Sequence, residues 1–331
     1  MKVLYIGGTG IISSACSEVA VSRGIDLYHL RRGKTARPVP PGIQVLRGDA
    51  RDPASLRTAL GEHRFDAVVD FIAFTPEHVE LDIELFRGRA SQYVFISSAS
   101  AYMKPPTSLP ITESTPLKNP FWAYSRAKIA CEEALVAAFR AHGFPMTIVR
   151  PSHTYDRTLF PCHGGYTAVD RMRRGKPVVV HGDGTSLWTL THHVDFARAF
   201  VGLLGNPRAI GEAFHITSGE WLTWDQIHRM LAEAAGVTAE LVHVPSETIA
   251  EHDPEWGASL LGDKMHSLVF DNAKVKRFVP GWEATIPFSS GAREILAYYD
   301  EHPAERVVDA ELDRTMDHLA ELTKARAPRG R

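Results

Sequence analysis

Val3-Leu4-Tyr5-Ile6-Gly7-Gly8-Thr9-Gly10-Ile11-Ile12-Ser13 stands almost at the start of the chain and decides the fold. Its first four residues are apolar, as in a short parallel strand buried on both faces. The glycines then permit a tight turn, and Ile12, Cys16, Val19 and Ala20 continue at helical spacing. Strand, glycine turn and helix in that order make a dinucleotide cradle. The backbone can approach a pyrophosphate, and the helix N-terminus supplies unpaired N–H groups. The spacing is Gly-x-x-Gly-x-x-Ser, with Ser13 where a third glycine would let helix and strand pack most closely. The bland alternative is an ordinary strand-to-helix turn, which the immediate coupling to the first strand disfavours.

Working outward, strand-like runs recur at 26–30, 44–46, 67–71, 93–97 and 147–149, and helical stretches at 53–62, 76–87 and 124–142. Such alternation predicts an α/β fold, a Rossmann-type doubly wound parallel sheet. Beyond Pro151 the pattern loosens: 161–165, 182–184 and 254–262 read as loops, 214–217 as a strand, and 224–235 as a helix capped after Thr223. The expected organisation is a dinucleotide-binding domain over 1–160, to which the chain returns at about 190–218, and a smaller C-terminal substrate-binding lobe over most of 161–331.

Bulk properties narrow the function. The 331 residues suffice for one large or two coupled domains, and a net charge of −2 gives no reason to expect nucleic acid or an anionic membrane as partner. Cys16, Cys131 and Cys162 are too few and too widely spaced for a disulfide framework, which suits a reducing cytoplasm. No apolar stretch approaches the roughly 20 residues of a membrane helix. Met1-Lys2-Val3 runs straight into a strand, so no signal peptide is expected, and the basic tail 324–331 is expected to fray.

Tyr124-Ser125-Arg126-Ala127-Lys128 brings a phenol and an ammonium onto one face of a helix, one turn apart. A cation there lowers a phenol's pKa, so the tyrosine can take and return a hydroxyl proton. The end of the second strand reads Tyr28-His29-Leu30-Arg31-Arg32-Gly33-Lys34, with no acid to hold a ribose diol. Arg31 and Arg32 can instead clamp a 2′-phosphate, which favours NADP over NAD, with a solvated basic loop as the alternative.

Together with Gly48-Asp49, Ser97-Ser98, Arg150-Pro151-Ser152-His153-Thr154-Tyr155, Gly182-Asp183-Gly184 and His193-Val194-Asp195-Phe196-Ala197, these motifs resemble the extended short-chain dehydrogenase/reductases, in the branch of NAD-dependent epimerases and dehydratases. The resemblance runs from Met1 to about Trp282. It implies that Ser98 hydrogen-bonds the reacting oxygen, that Tyr124 is the acid/base, and that Lys128 binds the nicotinamide ribose and keeps Tyr124 acidic. For Ser97 and Ser98 the alternative is plain strand-end turn chemistry. The implied cofactor contacts are Gly7, Thr9, Gly10, Ile11, Ile12, Asp49, Ala50, Phe71, Ile72, Ala73, Ser97, Tyr124, Lys128, Pro151 and His153, beside Arg31 and Arg32. Asp49 has a second reading as a turn or capping aspartate. Substrate contacts are expected from Phe74, Ser98, Ser100, Tyr124, His153 and Trp188.

Sugar dehydratases of this branch carry an aspartate and a glutamate where this chain has Ala99 and Ser100, so elimination is not expected. Epimerisation of a sugar or sugar nucleotide through a ketone comes first. Reduction or dehydrogenation of a sugar, nucleoside or small ketone comes second. A non-catalytic nucleotide- or RNA-binding relative comes last, since Ser98, Tyr124 and Lys128 are all kept. Trp188 stands where many relatives place a diphosphate-gripping arginine. Arg157, Arg171, Arg173 and Arg174 are possible substitutes, with 173–176 read preferentially as a solvated helix end. His153, His163, His181, His192 and His193 cluster without metal-site spacing, so no metal is assigned. His192 and His193 are read as interior histidines held by backbone carbonyls. A homodimer is expected, with Ile129, Ala130, Ala134, Leu135, Ala137 and Ala138 offering small apolar surface.

Overall fold

The computed structural model describes residues 1–33 and 38–326; Lys34 of the basic loop and residues 327–331 of the tail lie outside the described residues. The central strand candidates are buried along nearly their whole length, as a sheet covered on both faces requires, whereas the edge candidate at 44–46 is largely exposed. Together they form β1 (Lys2–Ile6), β2 (Asp26–Arg31), β3 (Gln44–Arg47), β4 (Ala67–Asp70), β5 (Tyr93–Ile96), β6 (Met146–Pro151) and a last strand, Ala213–Ile216. The spatial order is Ala213–Ile216, β6, β5, β4, β1, β2, β3, with every pairing parallel. The strand order reverses between β1 and β4. Ligands of open α/β sheets bind outside the carboxyl ends at such a switch point, and the glycine turn leaves β1 there.

Helices cover both faces. α1 (Ile11–Ser22) packs on one, and α2 (Pro53–Leu60), α3 (Pro76–Phe86) and α4 (Ala123–His142) pack on the other. Their ends follow local chemistry. Asp52 Oδ1 accepts from Ala54 N and Ser55 N at the start of α2, and Gly143 closes α4 at φ +66°. α5 (Tyr166–Arg173) belongs to the lobe, whereas α6 (His193–Leu203) returns to the α1 face of the sheet. The lobe has its own core around Tyr155, Phe160, Trp188, Trp224 and Phe288, with α7 (Trp224–Ala234) started by a Thr223/Gln226 capping box.

One expectation fails in the lobe. Residues 254–262 are not a loop: a helix spans Pro254–Ser259 and a π-helical turn Leu260–Lys264. Asp253 starts it by accepting from Trp256 N at 2.9 Å, with Pro254 in the first turn, a signal that an Asp-Pro pair carries in sequence. The stretch 173–176 is a largely solvated helix end, as expected, although its charges are paired. Arg171 is buried against Asp313 and Asp317, Arg174 pairs with Asp170 and Asp313, and Lys176 pairs with Asp317. These charges fasten the helix Ala310–Arg326 to the lobe.

Candidate active site

The turn after β1 is shaped for close approach. Gly7 has φ +82°, and a Cβ there would lie 2.6 Å from Ile72 Cγ2. A Cβ on Gly8 would lie 2.4 Å from His29 Nε2. Ser13, far from loosening the turn, closes it: its Oγ donates to Gly7 O at 2.8 Å and accepts from Gly10 N at 2.7 Å. Beneath, His29 Nε2 lies 2.9 Å from Ser17 Oγ, and burial lowers the His29 pKa to about 4. Thr9, Ile11 and Ile12 are partly exposed beside the first turn of α1, whose leading N–H groups have no intrahelical partner. This cradle, closed to any side chain at Gly7 and Gly8, fits a dinucleotide pyrophosphate.

At the far edge, Arg31 ends β2, and Arg32 Nη1 stands 3.6 Å from Asp49 Oδ2. Asp49 Oδ1 also accepts from Arg51 N at 2.9 Å, so the turn role holds and the ion pair is added to it. Strand alternation sorts the rest. Ile72 and Phe74 are exposed, whereas the Phe71 ring packs on Tyr5 at 5.1 Å and on Phe200 at 5.7 Å. The Phe71 side chain therefore packs against the core and stays partly exposed. Ala50 is likewise buried in the core. Ser98 faces the cleft, and Ser97 turns the other way, its Oγ donating to Glu132 Oε1 at 2.5 Å. Glu132 in turn holds Arg150, Nη2 to Oε2 at 2.6 Å.

Ser98, Tyr124, Pro151, His153 and Trp188 line one cavity of about 270 Å3 with Ser100, Trp122, Ser152, Asp263, Lys264, Leu268 and Phe270. A hydroxyl chain runs into it. Ser125 Oγ donates to Ser100 Oγ at 2.8 Å, Ser100 Oγ lies 2.9 Å from Ser98 Oγ, and Ser98 hydrogen-bonds the Tyr124 phenol. Asn119 Nδ2 ties this loop to the lobe, donating to Ser100 O at 2.9 Å and to Gly262 O at 2.6 Å.

Lys128 departs from expectation. Its Nζ is buried and donates to Ala73 O and Ile96 O, each at 2.7 Å, and lies 5.9 Å from the Tyr124 ring centre. Burial lowers its pKa to about 8, opposed by Cys131, Asp70 and Glu132. Burial raises the Tyr124 pKa, and the Ser98 hydrogen bond, not Lys128, is what opposes this. In this arrangement the phenol is a proton donor, and the ammonium supports the strand ends.

Trp188 is only 2 % exposed; its indole lies against Trp224, and its Nε1 donates to His153 Nδ1 at 3.0 Å. It is a packed wall, not an open stacking platform. His153, lowered to about 3 chiefly by burial and then by Lys264, is the neutral acceptor that this bond needs. His192 is held by Glu294 at 3.0 Å and caps α6 through Val194 N, so its partners are a carboxylate and an amide rather than carbonyls. His193 does meet a carbonyl, that of Ile11. Arg157, Arg171, Arg173 and Arg174 do not line the cavity; Arg157 lies over the Tyr298 ring. Sequence reasoning missed Trp122, Asp263, Lys264 and Asn119, and of these only Trp122, two residues before Tyr124, had a local signal. Among the described residues no cluster of histidine, cysteine and carboxylate side chains could hold a metal, and no helix is long and apolar enough to cross a membrane.

The NAD dependent epimerase/dehydratase family model matches residues 3–217, and the chain belongs to that family. A nicotinamide dinucleotide is accordingly the group for which the glycine cradle is shaped. The chain is 28% identical over 261 residues to the chloroplast stem-loop binding protein of 41 kDa b from Arabidopsis thaliana, covering 73% of this chain and 65% of that one. It thus spans just under two thirds of that relative's length. It is also 28% identical over 295 residues to the 2′-dehydrokanamycin reductase of Streptomyces kanamyceticus, covering 86% and 80%. Among solved structures, the UDP-glucose 4-epimerase of Thermus thermophilus in complex with NAD has the same fold, with TM-score 0.71, 22% identity, and coverage of 91% and 100%.

Proposed function

We propose that the chain is an NAD(P)-dependent epimerase acting on a sugar or sugar nucleotide through a transient ketone. The observation that carries this reading is the hydroxyl chain from Ser125 through Ser100 and Ser98 to Tyr124, opening into a cavity beside the glycine cradle. A bound dinucleotide would supply the hydride acceptor and return the hydride to the other face of the ketone. Tyr124 takes the substrate hydroxyl proton and gives it back, and Ser98 Oγ holds the reacting oxygen. Lys128 would reach the nicotinamide ribose, and its charge would then stand nearer the phenol. Among the described residues Asp263 is the one carboxylate lining the cavity, and it faces Lys104 at 3.2 Å. Elimination of water therefore lacks its base, whereas reversible oxidation would need, besides the dinucleotide as hydride acceptor, only Ser98 and Tyr124.

NADP is the proposed dinucleotide, because β2 ends in Arg31 and Arg32 with no acid to receive a ribose diol. A homodimer is proposed through α4, where Ile129, Ala130 and Ala134 remain only half-buried; light scattering at several concentrations tests it. The second reading, an NADPH-dependent reductase, is favoured by the absence of arginine from the cavity and by the extensive match to the Streptomyces reductase.

One experiment separates these readings: the purified protein is denatured and any released dinucleotide is identified by mass spectrometry. Stoichiometric NADP or NAD supports an internal redox cycle. An empty protein that binds NADPH only when it is added supports the reductase. Absence of binding to either dinucleotide overturns both, and salt-dependent RNA binding would then favour a role like that named for the chloroplast relative.

A further inference from the structure

The cavity is walled mostly by apolar and aromatic side chains, and Lys264 is the one lysine or arginine among its lining residues. Lys264 ends the π-helical turn, and its backbone is fixed by the lobe: its carbonyl accepts from Trp224 Nε1 at 3.1 Å and lies 2.9 Å from His181 Nε2. Its Nζ sits over the Trp122 ring, 5.3 Å from the centre, and that ring lies 5.0 Å from the ring of Tyr124. The adjacent carboxylate does not occupy it, because Asp263 Oδ1 stands 3.2 Å from the buried Lys104 Nζ. Among the described residues no carboxylate comes within ion-pairing distance of Lys264 Nζ. A half-buried ammonium without a carboxylate in contact is costly, and Asp263, turned to Lys104, acts on it only from a distance.

We propose that Lys264 anchors a single anionic group, a carboxylate or a phosphate monoester, carried on the sugar ring that reacts at Tyr124. One lysine recognises a point charge; it does not provide the planar fork that arginine offers a diphosphate. The volume agrees, since about 270 Å3 lies just below the roughly 300–1,000 Å3 typical of drug-sized ligands and suits one ring. Trp122 gives that ring an apolar face, and Lys264 fixes which edge points away from the sheet. The inference rests on the sugar-oxidoreductase reading above.

Trp122 and Trp188 in the wall supply the readout. The full chain, with and without added NADP, is titrated with D-glucose, D-glucuronate and D-glucose 6-phosphate while tryptophan fluorescence is followed. The wild type should bind at least one of the anionic sugars about tenfold more tightly than glucose. Which anion wins identifies the group. Lys264→Met should bring that preference to within about twofold, and Lys264→Arg should keep most of it. NADPH binding, followed by its own fluorescence, should be equal in all three proteins. Equal binding of neutral and anionic sugars by the wild type, no binding of any of them, or a preference that survives in Lys264→Met would overturn the assignment. Failure of the wild type to bind NADP or NAD is a separate result, which sinks the oxidoreductase reading on its own.

Discussion

Two lysines stand near the first turns of α4, Lys128 from the helix itself and Lys264 from the lobe. Lys128 is buried, and its ammonium donates to the carbonyls of Ala73 and Ile96, each at 2.7 Å. Lys264 reaches in from the π-helical turn and has an aromatic face, with no carboxylate against it. The floor of the cleft is thus internally satisfied, and the roof keeps a charge open. Floors of this kind serve a part of the ligand that does not vary, whereas an open charge selects among ligands.

The sharpest way to break this contrast is to remove the group that both regions surround. Tyr124→Phe should lower kcat by about 10²–10⁴-fold while dinucleotide affinity stays within about twofold, as steady-state kinetics and cofactor titration would show. Comparable losses in both would mean that the phenol belongs to the cradle. Next, Glu132→Gln strikes the floor alone. It leaves Arg150 buried beside a neutral amide and should cost about 3–5 kcal/mol in urea denaturation. Arg229→Ala, at a more exposed ion pair of the lobe, should cost at most about 1 kcal/mol. Similar values for the two would erase the distinction.

Lys128 sharpens the comparison through pH. Its folded-state pKa is depressed from 10.5 to about 8. Between those values the unfolded chain holds a proton that the folded chain has released, so stability rises with pH across the window. Wild type should therefore gain on Lys128→Met between about pH 7.5 and about pH 10, by roughly 1–3 kcal/mol. A difference that does not change with pH would show the ammonium to be unstrained. The smallest effect belongs to the roof's wall. Trp188→Phe keeps a ring against Trp224 but deletes the N–H given to His153, so stability should fall by about 1 kcal/mol. Substrate KM should rise more than kcat falls. A variant indistinguishable from wild type would remove Trp188 from the site.

The same division governs what can be read from sequence. The glycine turn, the alternation of strands and helices and the Tyr124–Lys128 pair depend on spacings of a few residues along single elements, and periodicity carries such information. Alternation along an extended segment equally distinguishes Ser98 from Ser97 and Ile72 from Phe71, yet a stretch quoted as a block hides it. Lys264, Asp263 and Lys104 meet only because the lobe folds back over α4. Their encounter joins positions about 160 residues apart, and no local pattern records it. The partners of the basic stretch at 173–176 are hidden for a like reason, Asp313 and Asp317 standing on the last described helix. Lys128 was legible as a position but not in its effect. Whether an ammonium lowers a neighbouring phenol depends on burial, which spacing does not disclose.

Asn119 joins these two regions through one side chain. Its amide nitrogen holds Ser100 O and Gly262 O at once, while its oxygen receives Phe121 N and Trp122 N at the head of α4. A swing of the roof away from the sheet must therefore break this joint or pull Ser100 out of line with Ser98 and Ser125. Any displacement of the roof would thus be felt along the proton path, geared through one side chain.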